Sequence, residues 1–127
     1  TNSLDLVGKI SMFDRDIECI TASYIVTYRL DKKQILPMFC NLMLNTPLCQ
    51  SKIKELARPS VSQANINPTT FRNELVVFVP PPTEQQRIAN CLTALDTQIT
   101  AQTTKIEALK QHKRGLMQQL FPAPEEQ

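Results

Sequence analysis

The sequence predicts an α+β chain: a small mixed α/β domain, followed by one long projecting α-helix that forms an antiparallel coiled coil with a partner. Three observations predict it. Apolar residues recur in steps of four and three from Ile88 to Leu120. Two proline-started apolar runs, at Pro37 and Pro47, lie among stretches rich in β-branched residues. Pro80-Pro81-Pro82 separates these two patterns. The expected organisation is a domain over 1–79, a proline linker over 80–82, a long helix over 83–120 and a frayed tail over 121–127.

The long helix is the clearest element. Thr83 as N-cap with Gln86 three residues on is a capping-box arrangement. Glu84 near the start and Lys110, Lys113 and Arg114 near the end suit the helix dipole. The seam runs through Ile88, Leu92, Leu95, Ile99, Gln102, Ile106, Leu109, Lys113, Leu116 and Leu120, a heptad repeat sustained over more than four heptads. At 1.5 Å per residue the helix is about 55 Å long. A compact domain of this chain length has a radius of gyration of only about 14 Å. Nothing else in the chain is long enough to cover that stripe, so its seam calls for a second helix. Two antiparallel registers of a self-pair fit. A centre near residues 100–101 sets Ile99 against Gln102, Leu95 against Ile106, Leu92 against Leu109 and Ile88 against Lys113. A centre near residue 104 sets Ile88 against Leu120 and Leu92 against Leu116. Polar Gln102 and Lys113 weaken the seam and fix its register. Gly115 costs about 1 kcal/mol relative to alanine.

Within 1–79 the elements follow in order. Residues 4–12 read as a strand around Gly8, and Asp14-Arg15-Asp16 as a turn. Residues 17–30, with β-branched and aromatic types alternating, read as a strand. Residues 35–45 read as a helix with Pro37 in its first turn, where the missing N–H costs nothing. Thr46-Pro47 restarts a helix, with Thr46 as N-cap and Leu48, Ile53, Leu56 and Ala57 on or near one face. Both helices are expected to pack against a sheet. Arg58–Asn65 reads as a polar loop. Asn67-Pro68 caps a further short helix. The run LVVFV at 75–79 reads as a buried strand.

Bulk properties exclude several classes. The 127 residues carry 14 basic and 12 acidic side chains, a formal net charge of +2. That balance does not by itself announce nucleic acid. The four cysteines, Cys19, Cys40, Cys49 and Cys91, form no CxxC pair and only one histidine is present, so no metal site is expected. Buried free thiols suit a reducing cytosol and a cytoplasmic location. No run is long enough to span a membrane. With two glycines there is no phosphate cradle, and His112 has no nucleophile near it in sequence. Neither an enzyme nor a cofactor is expected. The loop Arg58–Asn65 is the candidate recognition segment. Ser60, Ser62, Gln63 and Asn65 carry the donors and acceptors that read base edges, and Arg58 can serve phosphate or guanine.

Several stretches then point one way. After the strand ending SYIV come the proline-started helix, NTPLCQSKIKELA and QANINPTTFRNELVVFVPPPTEQQRIANCLTALD. The long helix closes on KRGLMQQLF. This order resembles the C-terminal part of a specificity subunit of a type I restriction-modification system. The join VPPPTEQQRIA and the ending KRGLMQQLF carry the resemblance most sharply. It implies that 1–79 is part of a target recognition domain and that Pro80–Leu120 is the spacer helix. Double-stranded DNA, a modification (methyltransferase) subunit and, through it, a restriction subunit are the implied partners. Catalysis is implied to lie in those partner chains. Family subunits carry two recognition domains and this chain at most one, so a homodimer through the helix is expected to mimic the pair. Residues 1–16 are expected to enter mid-domain. The competing expectation is a coiled-coil assembly module that reads no DNA.

Overall fold

A computed structural model of the chain describes residues 6–22, 25–59 and 64–121, leaving aside the side chains of Arg58 and Pro59. The order is α1 (Pro37–Leu44), α2 (Pro47–Glu55), β1 (Ala57–Pro59), β2 (Ala64–Ile66), α3 (Pro68–Glu74) and α4 (Pro82–Leu120). The architecture is mixed, with few strands and one long C-terminal helix. The chain divides into two units, Thr1–Ala89 and Asn90–Gln127. The first therefore includes the opening turns of α4.

Proline at the first helical position starts each helix of the first unit, where its ring presets φ and no donor is lost. Thr46 caps α2 by accepting from the Cys49 N–H, while its own hydroxyl donates to the Met43 carbonyl at 2.8 Å. Asn67 caps α3 through Oδ1, which accepts from the Thr69 and Thr70 N–H groups at 2.8 and 3.2 Å. Phe39 and Cys40 of α1, Cys49 and Ile53 of α2, Ala64 of β2 and Ala89 of α4 form the buried apolar set. Burial, with Cys49 adding to it, pushes the pKa of the Cys40 thiol up. The inward face of α2 is Cys49–Ile53, one turn apart. Leu48 is 69% exposed, because five residues at 3.6 per turn place it roughly 140° from Ile53.

The expected strands do not form in the described residues. Within 4–12, Leu6–Lys9 is a turn, with Gly8 at φ +81°. The carbonyls beyond it are met by side chains: Gln50 Nε2 donates to Gly8 O at 3.1 Å and Asn45 Nδ2 to Ile10 O at 3.0 Å. A segment tied by side-chain amides has no ladder to join. The described parts of 17–30 also lack strand pairing, and Ile17, Ile20 and Ile25 are exposed. The run 75–79 has period-two burial, with Leu75 and Val77 half-buried while Val76 and Phe78 are 76% and 85% exposed. It is not a buried strand, since no strand lies beside it among the described residues. A strand needs a hydrogen-bonded neighbour, and composition alone does not provide one. The sheet that does form among the described residues is the β1–β2 pair, which overlaps both ends of the stretch Arg58–Asn65 read as a loop.

The start of α4 also differs from expectation. Pro82 is already helical, with Glu84 and Gln85 N–H both donating to Pro81 O. Thr83 thus lies inside the first turn rather than at the cap. Proline's fixed φ starts the helix one residue earlier.

Gly8 lets the N-terminal segment cross α2 closely. A Cβ there would sit 2.5 Å from Ile53 Cγ2, and φ is already left-handed. Gly8→Ala is therefore expected to cost about 1–3 kcal/mol, read as a fall in the urea midpoint. An unchanged midpoint would remove this packing from the account.

Candidate nucleic-acid interface

The paired strands β1 and β2 carry the described part of the candidate recognition segment. β1 and β2 pair antiparallel, with Ala57 opposite Ile66, Arg58 opposite Asn65 and Pro59 opposite Ala64. Side chains alternate along a strand. Ala64 is buried, Asn65 is exposed and Ile66 is half-buried. β2 therefore anchors itself on either side of Asn65 and presents that amide outward. Of the five candidate residues, the register brings Arg58 and Asn65 together at the backbone. Ser60, Ser62 and Gln63, in the connection between the strands, lie outside the described residues.

Both ends of the hairpin are fixed. α2 runs into β1 with only Leu56 between them. At the other end, Ile66 Cδ1 comes within 3.6 Å of where a Gly8 Cβ would stand, so the N-terminal segment covers the base of β2. α3 follows at once, capped by Asn67. Tyr28 secures α3 in turn: its hydroxyl donates to Pro68 O at 3.1 Å, and its ring stacks on Phe71 with centroids 5.5 Å apart. Burial raises the Tyr28 pKa, and the Arg72 guanidinium partly offsets that rise.

Cations flank this construction that the sequence reading did not single out. Lys52 and Lys54 occupy the last turn of α2, just before β1, and both are exposed. Arg72 lies in the last turn of α3 and is exposed too. Their places in the helical patterns explain them as solvated faces that complement the helix dipoles. For Lys52 and Lys54, nearness in sequence to Arg58 was the signal available.

The second candidate surface is the seam of α4. Leu92, Leu95, Ile99, Ile106, Leu109, Leu116 and Leu120 are 40–70% exposed. Gln102 and Lys113 are exposed with them, and Ile88, in the first unit, is half-buried. Two pairs brace the helix surface, Arg87–Glu84 at 3.3 Å and Lys110–Glu107 at 2.7 Å. Both are solvent-exposed and contribute little to stability.

Among the described residues no three His, Cys, Asp or Glu side chains group to hold a metal ion. No helix among them is long and apolar enough to cross a membrane.

The paired strands β1 and β2 and the exposed apolar stripe of α4 are the two candidate surfaces among the described residues. The family model for the type I restriction modification DNA specificity domain matches residues 6–111. The chain belongs to that family. It is similar to a protein described as a type I restriction enzyme MjaX specificity subunit, from Methanocaldococcus jannaschii. The two are 29% identical over 121 residues, which is 94% of this chain and 28% of the relative. The chain thus spans less than a third of that relative's length. No solved structure matches it.

The Asn67 cap sets where β2 ends and α3 begins. Asn67→Ala is expected to cost about 1 kcal/mol, measured by urea denaturation. A cost indistinguishable from zero would mean that Tyr28 holds α3 unaided.

Proposed function

We propose that this chain is a DNA-reading and assembly portion of a type I restriction-modification specificity subunit. The match over residues 6–111 carries this reading, because it takes in the hairpin and most of α4 together. Residues 1–79 form part of a target recognition domain. Arg58, Ser60, Ser62, Gln63 and Asn65 contact double-stranded DNA: Arg58 at phosphate or guanine, the others at base edges. The chain breaks no bonds. A modification (methyltransferase) subunit acts on the DNA it holds, and a restriction subunit is recruited through that partner. The setting is the cytoplasm.

The α4 seam pairs antiparallel with a second copy of the chain. Magnitudes make this pairing effective yet limited. Half-covering seven exposed leucine and isoleucine side chains on each of two copies is worth on the order of 10–20 kcal/mol. Association costs roughly 4–15 kcal/mol in lost freedom and ordering. Gln102 and Lys113 reduce the gain further and hold the register. A seam of this strength gives a dimer that depends on concentration and that a partner subunit can reinforce.

Two measurements test the reading. Binding to a random DNA duplex, followed by gel shift, should weaken steeply as salt rises. Arg58→Ala should reduce the slope of log affinity against log salt by about one. Salt-independent binding, or no binding, would overturn DNA reading. In sedimentation at micromolar concentration, Leu95→Lys with Leu109→Lys should convert a dimer to a monomer, and an unchanged particle mass would refute the seam.

A further inference from the structure

We propose that Gln85 is a positioning residue that makes the hairpin-bearing body and the root of α4, residues 82–89, a single rigid piece. The proposal rests on the reading above only for what the joint serves: holding the DNA-contacting segment at a fixed attitude to the root of the helix.

Gln85 is 0% exposed, the buried polar side chain of the described residues. Its head group makes three hydrogen bonds to the main chain. Oε1 accepts from the Leu36 N–H at 2.8 Å. Nε2 donates to Gln34 O at 2.9 Å and to Pro80 O at 2.7 Å. The first two partners lie about fifty residues away in sequence, on the strap that enters α1. The third is on the approach to its own helix.

The surroundings explain why a side chain does this work. Pro80, Pro81 and Pro82 have no N–H, so the entry to α4 cannot be tied by a backbone ladder. Leu36 at the N-cap of α1 has no side-chain cap of its own. The strap is itself fixed by Asp31, whose Oδ1 accepts from the Lys33 N–H at 3.0 Å and whose Oδ2 accepts from Gln34 Nε2 at 3.1 Å. One turn beyond Gln85, Ala89 is buried on the same face of the helix.

A carboxamide satisfies the whole of this set, because it offers one acceptor and two donors in one plane, and a protonated carboxyl satisfies part of it. An ionised carboxylate has no donor, and a thioether of similar length offers neither donor. Each replacement leaves buried carbonyls without partners, and that free energy drives the root off the strap.

Residual dipolar couplings of backbone amides on the full chain read the joint without DNA. In the natural chain, amides of α1, α2 and residues 83–89 should fit one alignment tensor. In Gln85→Met, residues 83–89 should need a separate tensor of smaller magnitude. Gln85→Glu adds a rescue by pH. A carboxyl group buried against two carbonyls has its pKa raised, so its protonated form, which keeps one donor, persists above the ordinary glutamate range. That contribution is lost as pH rises through the folded-state value. This variant should therefore show one tensor at acid pH and two at neutral pH, reversibly. A purely structural role would lower the melting temperature of either variant while every amide kept one tensor, which would overturn the proposal. So would a Gln85→Glu variant with pH-independent tensors. If Gln85→Met does not fold, the pH series on Gln85→Glu decides alone. Failure of the natural chain to bind duplex would count against DNA reading and leave the joint standing.

Discussion

Three hydrogen bonds from one buried carboxamide hold the first unit to the start of its helix. Among the described residues the apolar core there is small: Ile53 is the one fully buried large apolar side chain, with Phe39, Ala64, Ala89 and two cysteines also buried. In a body with so little burial, a polar tie carries unusual weight. A neutral hydrogen bond contributes about 1 kcal/mol net, whereas a buried group stripped of its partner costs about 1–3 kcal/mol. Gln85 is thus worth most through what its absence would leave exposed. The strap into α1, the proline-rich approach and the first turns of α4 depend on it together.

The second unit follows a different logic. Along Asn90–Leu120 the side chains are exposed, Gly115 partly so. Its regularity is local. Thr97, Thr100, Thr103 and Thr104 each return a hydroxyl to the carbonyl four residues back, at 2.8–3.0 Å. Such bonds satisfy the hydroxyl without helping helix formation. The seam repeats through this threonine belt without interruption, with Gln102 at its middle. The apolar positions of the stripe, from Leu92 to Leu120, are 40–70% exposed.

Local chemistry was legible at most helix starts, the cap of α4 at Thr83 being the exception because Pro82 is already helical. Pro37, Pro47 and Pro68 began helices because proline's φ and missing donor suit that position and few others. Thr46 and Asn67 capped because their short polar side chains reach N–H groups two or three residues on. The heptad pattern announced one long helix. The order of motifs around VPPPTEQQRIA and KRGLMQQLF pointed to the specificity family. What failed depended on distant partners. Residues 17–30 and 75–79 have strand composition, yet the described residues offer them no neighbouring strand. The stretch around Arg58 and Asn65 looked like a loop because three-residue strands leave too short a pattern to read. Gln85 passed unnoticed because a glutamine in the first turn of a helix ordinarily faces water.

The sequence by itself determined the starts of α1, α2 and α3, the apolar repeat of α4 and the family, since each is written in neighbouring residues or in a repeat. Only the tertiary structure decided that Ala57–Pro59 pairs with Ala64–Ile66, that Gly8 must pass against Ile53, and that Gln85 is buried against a strap about fifty residues earlier. The physical reason is range: caps and periodicity act within a few residues, whereas burial and hydrogen-bond satisfaction depend on which distant groups the folded chain brings within 3 Å.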